Sequence, residues 1–344
     1  MKYIFCDSDV GGTPTNATPD TSTSKYHTTS AWPANGARWA SIASAMADAT
    51  IVALADDLTF LVQGSANFAA FNLSTLTAAL SVTVEGNATG AVWDDTKAKA
   101  VGSAGGGAAN MSLAVPQTIR NMQLVNNISS GTPRGVYCSG TGACTLENLK
   151  IKFIGTTTTG GPGITGTTAP PSAVTARNCI VDVVNANSAA ANSGISLQSA
   201  TVGNFYNCVF RGAGTGATNG DNMVNCAFFG FATQGGASGN YKYCATVNNT
   251  GTNPVTVADW NAAFQNYANW DYRLKAGSPL IGAGIGPTGD ASVPTVDIAG
   301  NTRSGSITDV GAAMYVSLGP RRIRPATIIS AQAASMAGTA TTSA

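Results

Sequence analysis

Ala176-Arg177-Asn178-Cys179-Ile180-Val181 is followed by Phe205-Tyr206-Asn207-Cys208-Val209-Phe210 and then by Met223-Val224-Asn225-Cys226-Ala227-Phe228. In each, an asparagine precedes a cysteine and two apolar residues. Looser copies stand upstream, Ile119-Arg120-Asn121-Met122-Gln123-Leu124 and Leu146-Glu147-Asn148-Leu149-Lys150-Ile151. A weaker one follows, Lys242-Tyr243-Cys244-Ala245, with Tyr243 in the asparagine's place. The asparagines lie 27, 30, 29 and 18 residues apart. A constant kernel at variable spacing describes coils whose loops differ in length, not a tandem array of domains.

The kernel has a specific physical meaning. In a solenoid each coil lays a short strand on the preceding one, ~4.8 Å away. An inward residue then stacks on its equivalents, which predicts one apolar column of Met122, Leu149, Cys179, Cys208, Cys226 and Cys244. Asparagine adopts the left-handed turn conformation more readily than most residues. Its amide also both donates and accepts, so Asn121, Asn148, Asn178, Asn207 and Asn225 are expected to form a ladder from coil to coil. The expected fold is all-β, a single-stranded parallel β-helix over residues 109–315.

Composition agrees. The 344 residues include 40 glycines and are only 10% charged but 44% hydrophobic, against a usual charged share of about 25%. Small, turn-forming and β-tolerant residues dominate, and the apolar share is enough for a core. A formal net charge of +1 supplies no field to attract nucleic acid or an anionic membrane. No apolar run is long enough for a transmembrane helix, and the apolar stretch at Met1-Lys2-Tyr3-Ile4-Phe5-Cys6 is too short for a secretory signal. Synthesis in the cytoplasm is therefore expected. The seven cysteines read mostly as buried, reduced small hydrophobes. Cys138 and Cys144 are close enough in sequence to pair across a loop in an oxidising setting, but reduced thiols are the default for a cytosolic product.

Residues 1–108 read as a polar arm, a capping helix and the first coils. Arg38 to Ala49 is expected to be a short amphipathic helix with Trp39, Ile42 and Met46 on one face. Strand-like runs follow at Ile51–Val62 and Phe71–Val84. A small separate α+β domain is the alternative. Residues 316–344 form an extended C-terminal tail in which Arg321, Arg322 and Arg324 precede an Ala/Ser/Thr-rich stretch. Such a tail either stays disordered or orders against a neighbouring subunit.

Asn269-Trp270-Asp271-Tyr272-Arg273-Leu274, Gly277-Ser278-Pro279-Leu280-Ile281-Gly282-Ala283-Gly284, Asp297-Ile298-Ala299-Gly300-Asn301-Thr302-Arg303 and Thr308-Asp309-Val310-Gly311-Ala312 complete a pattern. With the asparagine kernels, it resembles right-handed parallel β-helix repeat proteins of the pectate-lyase-like superfamily, of the kind found in phage spikes, fibres and decoration proteins. The resemblance spans about residues 110–315 and implies that these C-terminal motifs are closing coils. There an Asp297–Arg303 ion pair would fix the last loop and Asp309 would belong to the final turn. A calcium site of Asp290, Asp297 and Asp309 is the alternative, since hard cations take several oxygen ligands.

The resemblance also raises polysaccharide cleavage, which needs two carboxylates across a glycosidic bond, or a base beside an acidic sugar. Between residues 110 and 250 the only acids are Glu147, Asp182 and Asp221. Their offsets from the nearest kernel asparagine are −1, +4 and −4, so they share no position. Asp56-Asp57 and Asp94-Asp95 are adjacent pairs, which on a strand face opposite ways. His27, the one histidine, is expected at the surface, without a nucleophile beside it. Gly105-Gly106-Gly107 lacks the strand-to-helix context of a phosphate loop. No catalytic residue, cofactor or metal is assigned.

The expected function is therefore structural: a virion protein of a bacteriophage (decoration protein, head or tail fibre or spike), made in the host cytoplasm and released by lysis. Other virion proteins are the expected partners, and the resemblance implies a homo-oligomer, commonly a trimer. A depolymerising lyase or hydrolase is the alternative. A carbohydrate-binding adhesin is the second; it would bind host surface polysaccharide and need exposed aromatics, for which Trp260, Phe264, Tyr267 and Trp270 are the dense candidates, although their spacing suits one buried face.

Overall fold

The computed structural model describes residues 1–9, 12–102, 107–127, 131–155, 161–166, 173–184, 193–197, 202–212, 222–231, 240–246 and 251–316. The expected tail from residue 317 onward, Asp221 and Gly105-Gly106 lie outside them.

Three parallel sheets are threaded by one chain that visits each in turn. Sheet 1 has nine strands: Lys2–Asp7, Asp57–Gln63, Ser81–Glu85, Gln117–Arg120, Cys144–Glu147, Val174–Arg177, Gly203–Tyr206, Asn222–Val224 and Asn240–Lys242. Sheet 2 has seven: Asn67–Ala69, Lys99–Gly102, Gln123–Asn126, Lys150–Phe153, Ile180–Asp182, Val209–Arg211 and Ala227–Phe229. Sheet 3 has five: Phe71–Asn72, Gly107–Met111, Arg134–Cys138, Ile164–Gly166 and Ile195–Ser196. From Asp57 to Ser196 the order is sheet 1, sheet 2, sheet 3, then sheet 1 again. This is a solenoid of parallel strands, as the kernels predict.

In-register pairing builds the interior. Val84, Ile119, Leu146, Ala176, Phe205 and Met223 face one another in sequence along sheet 1. Leu124, Ile151, Val181, Phe210 and Phe228 do so along sheet 2. All are buried in one continuous core. After Ser196 the described coils have no sheet 3 strand, and rings occupy the interior: Phe210 stacks on Phe228 at 4.6 Å and Phe228 meets Phe231 at 6.5 Å.

Both ends of sheet 1 are closed. An open strand edge would leave a row of unpaired N–H and C=O groups. At the first strand, Tyr3 and His27 exchange backbone bonds of 2.8 Å, and Trp39 donates to the Phe5 carbonyl at 2.7 Å. His27 is thus buried (5% exposed) rather than at the surface, edge-on to the Phe5 ring at 5.3 Å. Burial pushes its pKa below the ordinary value. At the far end Thr252 bridges Lys242, and Val255 bridges Ala245.

The expected helix over Arg38–Ala49 is shorter. It spans Ile42–Met46, because Ser41 and Ser44 form a reciprocal capping box that starts the helix there. Trp39 lies before it in extended backbone, bridging Cys6 and Gly12. A second turn, Ala49–Val52, is capped by Asp48, so the following strand begins at Asp57. Trp39, Ile42, Met46 and Ile51 are nevertheless all buried in the solenoid's own core.

The largest departure concerns residues 257–316. The resemblance makes them closing coils stacked on the end; instead they turn back and run along the outer face of sheet 2 as a strap. Tyr272 donates its N–H to Ala91 O at 3.1 Å, and Gly90 donates to Ile298 O at 2.7 Å. Ala91 and Gly90 lie between Ser81–Glu85 and Lys99–Gly102, in the early coils. The reason is burial: Ile180, Val209, Ala227 and Phe229 point outward from sheet 2, and the strap's Phe264, Tyr272, Leu280, Ile298 and Val310 cover them in a second core.

Candidate functional site

The kernel asparagines behave as their chemistry dictates. Asn121, Asn148, Asn178, Asn207 and Asn225 all have φ between 51° and 55°, and Tyr243 holds the same turn at 53°. Asn148 Nδ2 donates to Asn121 Oδ1 at 3.0 Å, Asn178 Nδ2 to Asn148 Oδ1 at 3.1 Å, and Asn225 Nδ2 to Asn207 Oδ1 at 3.3 Å. Beside them Met122, Leu149, Cys179, Cys208, Cys226 and Cys244 form the expected buried column. All seven cysteines are free and buried, Cys138 and Cys144 included.

One rung of the ladder is replaced. Between Asn178 and Asn207 the strap inserts Arg303, whose Nη1 donates to Asn178 Oδ1 at 2.7 Å. The amide of Asn207 turns instead to Asp309 O and Gly311 O, at 3.1 and 3.4 Å. Arg303 also donates to Val296 O, Gly311 O and Ala312 O and is 2% exposed. Burial lowers its pKa to about 10. One coil further, Asn225 exchanges two hydrogen bonds with the Ile285 backbone, at 2.8 and 2.9 Å. A Cβ on Gly284 would sit 2.7 Å from Asn225 Oδ1, so this approach requires glycine. The ladder therefore has two uses: it bonds coil to coil, and its interruption docks the strap.

The expected Asp297–Arg303 ion pair is not made. Both Asp297 oxygens accept N–H groups, Oδ1 from Ala299 and Asn301, and Oδ2 from Met314 and the Asn301 amide. Asp309 accepts from the Gly282 and Tyr315 backbones, and Asp290 from Ser292. Each carboxylate accepts N–H groups from the strap itself, and the three do not gather as a calcium site. Among the described residues no group of three or more His, Cys, Asp or Glu side chains is placed to share a metal.

A polar cluster under the strap went unnoticed in the sequence. Lys152, Asp182 and Arg211 are register neighbours on the outer face of sheet 2. Each stands four residues after its kernel asparagine. Along the sequence Arg120, Arg134, Lys150, Lys152, Arg177, Arg211 and Lys242 read as scattered bases, yet Lys152 and Arg211 share the +4 offset of Asp182. Asp182, 1% exposed, accepts from Arg211 at 2.8 Å and from the Tyr272 hydroxyl, and burial raises its pKa. The Lys152 ammonium sits between Trp93 and Trp270, 3.8 and 4.1 Å from their ring centroids. Lys150 donates to Val92 O at 2.9 Å and Thr89 O at 3.3 Å, and burial lowers its pKa to about 8. Next in the column, Phe229 is clasped by Trp260, Tyr267 and Phe264 at 4.6, 5.1 and 5.6 Å. The aromatics considered for sugar binding thus form a clasp on sheet 2, built from a helical turn, a strand and a 3-10 turn rather than one helix face.

A cleft of about 710 Å³ opens where the strap meets residues 89–94. Its carboxylates are Asp94 and Asp297. Asp94 is held low by the Thr96 hydroxyl and N–H, and Asp297 takes its donors from Ala299, Asn301 and Met314. Arg273, also on the wall, is engaged bidentately by Asp271 at 2.9 and 2.6 Å. A glycosidase needs one carboxyl held protonated by its surroundings and another free to attack or to activate water. On this wall Asp94 is held ionised, and both Asp297 oxygens are already bonded to N–H groups.

Comparison of the chain with models of known families, with curated proteins and with solved structures finds no match.

Proposed function

We propose that the chain is a structural virion protein of a bacteriophage (a decoration protein or a head or tail fibre or spike) and that its solenoid is a right-handed, pectate-lyase-like β-helix without catalytic activity. Right-handedness follows the rule for crossovers between parallel strands; the superfamily and the virion follow the sequence resemblance. One observation carries the inert reading. The polar groups brought together on sheet 2 are all engaged: Asp182 and Arg211 are bonded to the strap, Lys150 to the carbonyls of Thr89 and Val92 in the early coils, and Lys152 is packed between Trp93 of those coils and the strap's Trp270. They act as a latch. A rigid body with both ends of sheet 1 closed and one flank strapped suits a part that must resist shear and proteolysis outside a cell.

Depolymerisation of a polysaccharide is the second reading, and the cleft at residues 89–94 is what favours it. Two measurements separate the readings. Antibodies against the purified chain should decorate purified phage particles of its source; particles that lack the protein would remove the virion proposal. Incubation with capsular polysaccharides should release no new reducing ends and no unsaturated sugars; rapid depolymerisation would overturn the inert reading.

A further inference from the structure

Sheet 1 presents its outer face part-exposed among the described residues from the third strand to the seventh, and that face carries an ordered pattern. Glu85, Arg120, Glu147 and Arg177 are successive register partners in one outward column. Beside it Thr59, Thr83, Thr118, Thr145, Thr175, Asn204, Asn222 and Asn240 form a second column of hydroxyls and amides. Within the chain Arg120 meets Glu85 at 2.6 Å and Arg177 meets Glu147 at 3.5 Å. These side chains remain 27% to 41% exposed, so each keeps capacity for a partner from outside. The patch is bounded at its start by the N-terminal arm, where His27 and Trp32 close over Phe5.

We propose that this face binds a second copy of the chain, sheet 1 against sheet 1, with the two solenoids antiparallel. The order acid, base, acid, base becomes base, acid, base, acid when reversed. A two-fold axis along the strand direction, between the rungs of Arg120 and Glu147, places Glu85 opposite Arg177 and Arg120 opposite Glu147. Threonines meet in the adjacent column, Thr118 opposite Thr145 and Thr83 opposite Thr175. One rung beyond, Leu61 meets Tyr206, both outward in the charged column. The parallel arrangement that superposed the charged columns would set Glu against Glu and Arg against Arg, so the charges select the antiparallel one. Isologous contact of this kind closes a dimer, and the face it uses is unavailable for a three-fold ring.

The six strands that face one another, from Asp57–Gln63 to Gly203–Tyr206, give at ~4.8 Å each a face about 29 Å long and, at four residues, roughly 13 Å wide. That is ~380 Å² per partner, about half the ~800 Å² of a standard interface. The dimer is therefore weak, and salt disrupts it as the Debye length shrinks to ~3 Å near 1 M.

The test uses two charge reversals in the full chain, Arg120→Glu and Glu147→Lys, measured by sedimentation velocity. By symmetry each creates two like-charge contacts per homodimer, raising the dimer dissociation constant at least about tenfold. Mixing the two variants restores every pair, because the acid introduced by R120E in one chain faces the base introduced by E147K in the other. Heterodimers should then form with wild-type affinity. The double variant R120E/E147K should likewise dimerise. Its melting temperature should nonetheless fall, since within the chain the introduced acid lies against Glu85 and the introduced base against Arg177. A wild-type chain that stays monomeric at all accessible concentrations, or that forms trimers only, overturns the proposal. So does a dimer that survives either single reversal, or a variant mixture that remains monomeric. None of these outcomes bears on whether the protein is found on particles.

Discussion

Arg303→Ala removes the one side chain that the strap inserts into the amide ladder. Four charge-assisted hydrogen bonds are lost, at ~1.5–3 kcal/mol each, or ~6–12 kcal/mol gross. Against this stands the burial of the guanidinium, which lowers its pKa from 12.5 to about 10. At ~1.4 kcal/mol per unit, that depression costs the folded state about 3.5 kcal/mol, and the substitution recovers it. The orphaned acceptors reduce the loss again. Val296 O still accepts from Asn178 Nδ2, Gly311 O from Asn207 Nδ2 and Ala312 O from the Ile298 N–H. Only Asn178 Oδ1 is left bare, and the Asn207 amide can swing to it as its equivalents do elsewhere in the ladder. The net cost is then about 3–5 kcal/mol, and it falls on the strap. Hydrogen exchange by mass spectrometry should show residues 280–315 opening while peptides covering residues 144–184 keep wild-type protection. Faster exchange throughout the solenoid, or an unchanged strap, would refute the reasoning.

The ladder itself is tested at Asn148, which donates to Asn121 and accepts from Asn178. Asn148→Gly keeps the left-handed turn and deletes both links, for ~1–3 kcal/mol in urea unfolding. Asn148→Ala should cost ~1–2 kcal/mol more, the strain of a Cβ in that conformation, and equal losses would mean the turn is not strained. The pH dependence follows from Lys150, whose pKa falls from 10.5 to about 8. Between those values the unfolded chain binds more protons, so stability rises with pH from about 8 to about 10 by at most ~1.4 kcal/mol per unit. Lys150→Met should flatten that rise, and a slope unchanged in the variant assigns it elsewhere. The seven buried thiols should resist alkylation in the native protein and all react in denaturant, since burial pushes thiols such as Cys6 upward. Labelling of Cys208 or Cys226 without unfolding would contradict the interior column.

How much was legible in the sequence differs from element to element. Asn178, Asn207 and Asn225 announced a left-handed turn, a stacked amide and an inward thiol, because those properties are local and repeat once per coil. The cap was legible as an apolar set but not as an extent, since a single Ser41–Ser44 exchange moved the helix start past Trp39. Glu147 and Asp182, unrelated as acids, belong to two ordered columns once Arg120, Arg177, Lys152 and Arg211 are placed in the kernel frame.

The sequence alone therefore determined the coil: strand, asparagine turn, strand, with one stacked column on either side of the turn. It could do so because each coil lies directly on its neighbours and the pattern is short-range along the stack. Only the tertiary structure decided where residues 257–316 go. Their motifs suit a coil end, yet Phe229, Val209 and Ile180 expose apolar surface on sheet 2, and covering that surface outweighs adding another rung. Arg303 then finds Asn178 across 125 residues of chain, a contact that no local spacing encodes.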